Sequence, residues 1–328
     1  SSDSLWDVDL WNRKCVLGAS GGRGRDGRFD ATASMSPAPE SPAEIVPTGW
    51  SARLNIGFER RDIDSAKRSV MAERSHFGPL RILKPLYPEG EDICHGVIVH
   101  PPGGIVAGDQ LSVDVRVNSR ANALITTPGA QKWYRSAGKL ASAVTRLHVG
   151  DGASLEWLPQ ETMVFNGARA QQTLEISLAA DARFFGWEML CLGRTTRGER
   201  FDVGQFRQRI ELVRAETNAP LWRELMVLNG DDALLASPLG MRGHPVLGTA
   251  WMLYPQSAHD GVALLGDVRE ALGEQALAAA SMPEPGLIVV KVLGDAPETV
   301  RNLLIAVWRK MRSQVIGREA VVPRIWST

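Results

Sequence analysis

The sequence predicts a mainly β chain with a small helical portion near the C-terminus. Three observations predict it. From Trp50 onward apolar and polar residues alternate over short windows, as in Leu111, Val113, Val115 and Val117 against Ser112, Asp114, Arg116 and Asn118. A strand, a small polar turn containing alanine and a second strand recur in V-R-V-N-S-R-A-N-A-L-I-T-T, L-H-V-G-D-G-A-S-L-E-W-L and I-S-L-A-A-D-A-R-F-F-G-W, placing Leu124, Leu155 and Phe185 at matching positions 31 and 30 residues apart. Helical spacing enters only toward the C-terminus. A unit recurring about every thirty residues is what a stacked solenoid writes into sequence. A β-sandwich, whose hairpins also recur, fits the same periodicity equally well.

Residues 1–48 are expected to be a flexible Gly/Pro-rich leader, because G-G-R-G-R-D-G-R and S-P-A-P-E-S-P-A-E have almost nothing to bury. The stretch C-H-G-V-I-V-H-P-P-G-G-I-V-A-G-D, Cys94 to Asp109, then organises the chain. Ile93 to Val99 are apolar enough for a buried strand. Pro101 and Pro102 must end it, since neither donates to a ladder, and Gly103-Gly104 turns the chain. Leu174, Ile176 and Leu178 alternate with Thr173, Glu175 and Ser177 in a second half-buried strand. Around 263–281 a weaker helical pattern runs through Leu264, Val268, Ala271, Leu272 and Leu277, broken by Gly266 and Gly273. Leu287 to Leu293 reads as a strand. Asp295-Ala-Pro-Glu298 supplies an N-cap, a proline in the first turn and a capping-box glutamate. Val300, Leu303, Leu304, Val307 and Met311 then carry a helix as far as Gly317.

Composition excludes several function classes. Thirty-seven basic and thirty-seven acidic residues cancel, which argues against a nucleic-acid footprint or an anionic-membrane patch. Three scattered cysteines, Cys15, Cys94 and Cys191, fit a reducing compartment rather than a disulfide framework. With no run of eighteen apolar residues and no basic-then-apolar signal sequence, a cytoplasmic location is expected. No Gly-Lys-Ser/Thr follows a glycine cluster, so the chain does not hydrolyse nucleotides alone. G-x-S-x-G, H-E-x-x-H and C-x-x-C are equally absent.

Metal ligation is constrained too. None of the six histidines stands three or four residues from another. Cys94 and His100 share a strand face but lie about 20 Å apart in an unbent strand. Cys94 reads as a core thiol. His100 sits at an edge where its ring can reach a cavity. The carboxylates Asp109, Glu161 and Glu199 each close an apolar or tight-turn segment where packing requires no acid. As oxygen donors dispersed along a passage they would bind a divalent ion weakly and exchange it. Pairing with Arg135, Arg194 or Arg197, or turn hydrogen bonds, is the competing reading. Asp109 with Glu161 could also serve as the carboxylate pair of a carbohydrate-active solenoid enzyme, which requires the two acids about 5–9 Å apart in an aromatic-lined groove.

The Cys94–Asp109 stretch resembles the urease accessory proteins of the UreD (UreH) family, whose signature is H-P-P-G-G-I-V-x-G-D; here Ala107 takes the variable place, where glycine is common. The resemblance continues through G-P-L at Gly78, K-P-L-Y-P-E-G at Lys84, T-T-P-G-A-Q-K-W-Y-R-S at Thr126, E-W-L-P-Q-E at Glu156, L-G-R-T-T-R-G-E at Leu192 and P-R-I-W-S-T at Pro323. It covers Gly49 to the C-terminus, and so implies one domain over 49–328. It implies a β-helix-like (solenoid) stack of strands with a small C-terminal helical portion. It implies a non-catalytic scaffold in urease maturation that docks on the urease apoprotein, binds UreF directly and reaches the GTPase UreG through UreF. No tightly bound cofactor is implied, only transient nickel(II), with Asp109, Glu161, Glu199 and His100 as candidates for its route. Trp133, Tyr134 and Arg135 are candidate partner-interface residues. The C-terminal helix with Trp308, and Trp326 in the terminal segment, are candidates for the UreF contact.

Overall fold

The structure is a computed structural model that describes residues 49–63, 66–256, 260–274 and 277–327. The expected leader, His259 and Thr328 lie outside the described residues.

Strands β1 (Ser51–Ile63) and β2 (Ala66–Phe77) pair antiparallel. The short β3 (Arg81–Ile82) pairs antiparallel with β4 (Cys94–Val99), which ends at the proline pair as the sequence requires. Three coils follow. The first is β5 (Gln110–Val117), β6 (Asn122–Thr126) and β7 (Gln131–Trp133). The second is β8 (Ala141–Val149), β9 (Ser154–Leu158) and β10 (Thr162–Val164). The third is β11 (Arg169–Leu178) and the long β12 (Arg183–Leu192). Each strand lies parallel to its counterpart one coil on, β5 beside β8 beside β11 and β6 beside β9 beside β12, while β7 pairs with β10 and β10 with the end of β12. Parallel pairing of successive coils is the solenoid arrangement, and it rules out the hairpin-built sandwich.

The alanines of the recurring turns explain the corners. Ala121, Ala153 and Ala182 each stand just before the second strand of a coil, are fully buried, and stack through Ser154 N to Ala121 O at 3.0 Å and Arg183 N to Ala153 O at 2.9 Å. A larger side chain there would have to displace the corner of the next coil.

After β13 (Gln205–Arg214), parallel to β11, the stack gives way to antiparallel pairing. β14 (Pro220–Asn229) closes the first sheet, in the order β14-β13-β11-β8-β5-β1-β2. β15 (Val246–Leu253) extends the second sheet antiparallel to β12. Helix α1 (Gly261–Leu272), β16 (Ala278–Glu284), β17 (Leu287–Gly294) and helix α2 (Pro297–Val315) complete the element order. The second sheet runs β16-β17-β15-β12-β9-β6-β4-β3.

Two cores result. Between the sheets lie Leu54, Val115, Leu147, Leu155, Ile176 and Phe184 with their neighbours. On the other face of the second sheet, Leu124, Phe185 and Met252 pack against Leu264 and Val268 of α1 and Val300, Leu304, Val307 and Met311 of α2. The outer face of the first sheet stays solvated and is laced across coils by ion pairs of Glu175 and Glu211 with Arg146, Arg209 and Arg223.

Three sequence expectations are corrected. The register places Ala123, Leu155 and Phe184 in one row and Leu124, Glu156 and Phe185 in the next, so the matching of Leu155 with Leu124 and Phe185 is off by one. One residue of slip reverses the face in a strand, and both faces of this sheet are buried, so hydrophobicity alone does not reveal the slip. The first helix ends at Leu272 and Leu277 lies beyond it, Gly273 stopping the helix before β16. Helix α2 begins with Ala296 at the cap position and no side-chain cap. Asp295 instead meets His244 Nδ1 at 2.8 Å.

Candidate functional site

Three arrangements of polar side chains stand out on this frame. The first locks the helical layer in place. Arg312 of α2, fully buried, donates from Nε to Glu156 Oε1 at 2.9 Å, from Nη2 to Glu156 Oε2 at 2.8 Å, and from its two terminal nitrogens to both oxygens of Glu89. Trp308 Nε1 also donates to Glu156 Oε1 at 2.7 Å, and His95 Nε2 lies 2.7 Å from Glu89 Oε1. Burial opposes ionisation of Glu89, yet His95 and Arg312 outweigh it and hold the carboxyl below its ordinary value. Every partner is satisfied. This knot serves stability, as a buried charge set must be paired throughout.

The second is a largely apolar cavity of about 300 Å³ between the two sheets, into which His100, Gln160, Thr162, Gln172 and Glu188 bring a few polar groups. Glu188, on β12, accepts from Trp157 Nε1 at 2.9 Å and Gln172 Nε2 at 2.8 Å. Burial pushes its carboxyl up to about 7, the two hydrogen bonds only partly opposing. Burial likewise pulls His100 below the usual imidazole value, against the field of Asp109. Gln172 Oε1 is buried without a partner. An unsatisfied acceptor in an otherwise apolar interior is unfavourable by about 1–3 kcal/mol unless water or a ligand supplies a donor or a charge.

The third is an open surface groove of about 480 Å³ where three motifs meet. Its floor is the Tyr134 ring standing edge-on to Phe165, with centroids 5.0 Å apart and planes at 77°. Arg194 lies over Phe165 at 4.5 Å. Glu199 fixes Arg194 through Nε at 2.8 Å and through Nη2, while its other oxygen accepts from Asn166 N at 2.9 Å. Although burial opposes it, these bonds hold Glu199 below the ordinary carboxylate value. Gly104 sits flush beneath Tyr134, where a Cβ would come within 2.0 Å of ring atom Cε2. The second glycine of H-P-P-G-G therefore makes room for an aromatic thirty residues away. Lys132, Met163, Thr196 and Arg197 complete the lining.

Of the candidate route and interface residues, only His100 lines the interior cavity. Asp109 is a turn clamp, Oδ1 accepting from Trp50 N at 2.7 Å and Oδ2 from Val106 N at 3.0 Å. Glu161 pairs with Arg301 of α2 at 2.6 Å. With Glu199 held by Arg194, all three acids are committed to partners of their own, and the structure does not bring them together along one passage. Nor do Asp109 and Glu161 line either cavity, so the carboxylate-pair enzyme reading has no groove to work in.

The expected interface residues also divide. Tyr134 shapes the groove and Arg135 is exposed, whereas Trp133 and Trp308 are buried in the two cores and present no surface to a partner. Trp308 lies on the stripe of α2 that faces the second sheet, which is why it is covered. Trp326 is half-buried, donating from Nε1 to Thr126 Oγ1 at 2.8 Å and packing against Trp187 and Trp308 at 5.7 and 5.9 Å. Sequence reasoning gave no role to Glu156, Glu188 or Arg312. The available signal was an acid inside an apolar run, in S-L-E-W-L and F-F-G-W-E-M-L, which demands a buried partner. Among the described residues no group of three or more histidine, cysteine or acidic side chains could hold a metal, and no helix is long and apolar enough to cross a membrane.

In sequence, the chain matches known proteins over nearly all of its described residues. The family described as UreD urease accessory protein matches residues 51–327. A urease accessory protein UreD of Azoarcus sp. is 46% identical over 280 residues, 85% of this chain and 95% of that protein. That of Dechloromonas aromatica is 42% identical over 290 residues, covering 88% and 98%. That of Pseudomonas aeruginosa is 44% identical over 279 residues, covering 85% and 95%. The chain belongs to the UreD urease accessory protein family.

Proposed function

We propose that this chain is a maturation factor that enables nickel insertion into urease, acting as a scaffold on the urease apoprotein together with UreF and the GTPase UreG. Family membership supports the urease role. UreG would supply the nucleotide step for which this sequence carries no phosphate-binding loop.

The observation that carries the finer reading is the cavity inside the β stack and the few polar groups gathered in its largely apolar wall. Nickel(II) is cargo on this account, held briefly and passed on. His100, Gln160, Gln172 and Glu188 offer one imidazole and several oxygen donors, too few and too dispersed for a closed site but suited to transient contact. Gln172 Oε1, unpartnered and buried, is a free acceptor for a hydrated cation. Of the four route candidates from the sequence, His100 lines this cavity. Asp109, Glu161 and Glu199 do not, being held by the Trp50 and Val106 amides, by Arg301 and by Arg194.

Metal analysis of urease co-expressed with variants of this chain tests the reading. His100→Ala and Glu188→Gln should each lower nickel per urease while leaving this chain folded and bound to its partners. Unchanged nickel in both would remove the cavity from the route.

A further inference from the structure

We infer that the groove over Tyr134 and Phe165 docks an acidic peptide segment of a protein partner. The inference rests on the reading of the chain as a scaffold and supplies the chemistry of one of its contact surfaces.

Charge is the first support. Lys132, Arg194 and Arg197 line the groove, no acidic side chain is among its lining residues, and the charge of Arg135 reaches Glu199 behind Arg194. Glu199 is committed to Arg194. Lys132 and Arg197 form no ion pair with any described residue. In a chain whose formal charges sum to zero, this is a local excess. Cations left unpaired beside a surface groove favour an anionic ligand and speed its encounter.

Shape is the second. The Tyr134–Phe165 pair and Met163 form an apolar floor, and that floor is built, not incidental. Gly104 lies flush with Tyr134, and Glu199 pins the guanidinium that covers Phe165. An apolar floor between cationic walls matches a short extended segment that alternates acidic with aromatic or aliphatic side chains. Carboxylates reach Lys132 and Arg197, while an apolar side chain lies on the rings. Nucleic acid fits less well, because its footprint is a basic stripe longer than one groove.

The experiment is fluorescence anisotropy of the purified full chain with a labelled Glu-Asp-Phe-Glu-Asp-Leu peptide. Its amide counterpart Gln-Asn-Phe-Gln-Asn-Leu and a short single-stranded oligonucleotide serve as comparisons. The acidic peptide should bind, weaken as salt rises, and lose at least about tenfold in affinity in the Lys132→Glu/Arg197→Glu double variant, since charge reversal replaces attraction by repulsion. The variant's unfolding midpoint, measured alongside, should stay close to that of the unaltered chain, Arg197 being exposed and Lys132 half-buried. Equal binding of the two peptides, equal binding by the variant, or preference for the oligonucleotide overturns the inference. If the acidic peptide fails to bind but the chain restores nickel-loaded urease to cells lacking it, only the groove assignment falls. If the peptide binds and urease stays without nickel, the maturation reading falls instead.

Discussion

Glu156, in the middle of β9, meets Arg312 of α2 in a two-pronged contact of 2.9 and 2.8 Å, across 156 residues of chain and with both side chains sealed from solvent. This contact fastens the helical layer to the solenoid. The apolar stripe of α2 alone would allow sliding along the sheet, whereas a guanidinium shared by Glu156 and Glu89 fits at one place only.

Replacing Arg312 by leucine should therefore destabilise the chain severely, by about 3–5 kcal/mol, because two carboxylates would be left buried without a cation. Adding Glu156→Leu and Glu89→Leu should restore part of the loss, since an apolar replacement of the whole set leaves no charge uncompensated. Denaturant unfolding followed by tryptophan fluorescence measures both. A single Arg312→Leu variant as stable as the unaltered chain would contradict the account.

Glu188 predicts a pH dependence with a definite sign. In the unfolded chain its carboxyl titrates near 4.5, and in the folded chain near 7. The folded state thus holds the proton more tightly. The group has no effect on stability below the lower value, erodes stability as pH rises between the two, and above about 7 leaves the folded state weakened by roughly 3 kcal/mol. Glu188→Gln keeps the hydrogen-bonding shape but cannot ionise, so its stability should gain on that of the unaltered chain from pH 5 to pH 8. Curves that stay parallel over this range would mean that Glu188 is ionised without penalty.

Gly104→Ala should distort the groove by steric conflict alone, because the added methyl has nowhere to go except into the Tyr134 ring. Overpacking of this kind is unfavourable by about 1–3 kcal/mol. A second change, Tyr134→Ala, should recover stability in the Gly104→Ala background, which a backbone effect at Gly104 would not allow. Thermal unfolding of the two single variants and the double variant decides it.

Trp326 should stabilise the isolated chain before any partner is present, through its hydrogen bond to Thr126 and its packing on Trp187 and Trp308. Trp326→Ala should lower stability by about 1–2 kcal/mol and alter the near-ultraviolet circular dichroism of the tryptophan cluster. An unchanged spectrum and midpoint would show that the residue is free for a partner.

Much of this fold is legible from sequence because strands half-exposed on one face, such as β5 and β11, write their alternation plainly. The thirty-residue repeat is legible too, but it fits a sandwich as well as a stack, and only the family resemblance favours the stack. Where β9 and β12 are covered on both faces, alternation disappears and the register with it, so Glu156 passes as part of a motif rather than as the partner of a distant arginine. The site fared unevenly for a related reason. Acids at turns, Asp109, Glu161 and Glu199, draw attention because nothing nearby in sequence uses them, yet their partners are backbone amides and arginines brought in by folding. Glu188 is hidden inside an apolar run, and only the coil geometry sets it beside His100 and Gln172. Tyr134 and Arg194 lie sixty residues apart, and only the short third tier of strands brings them to one groove.

On the proposed route, nickel for urease passes by way of the cavity in this β stack. The most direct test is the nickel content of urease purified from cells lacking the chain and supplied with the unaltered form, His100→Ala/Glu188→Gln, or nothing. The account predicts full loading, strongly reduced loading and near-absence of nickel respectively, with the double variant still recovered in complex with urease. Full loading by the double variant, or in cells without the chain at all, would contradict it.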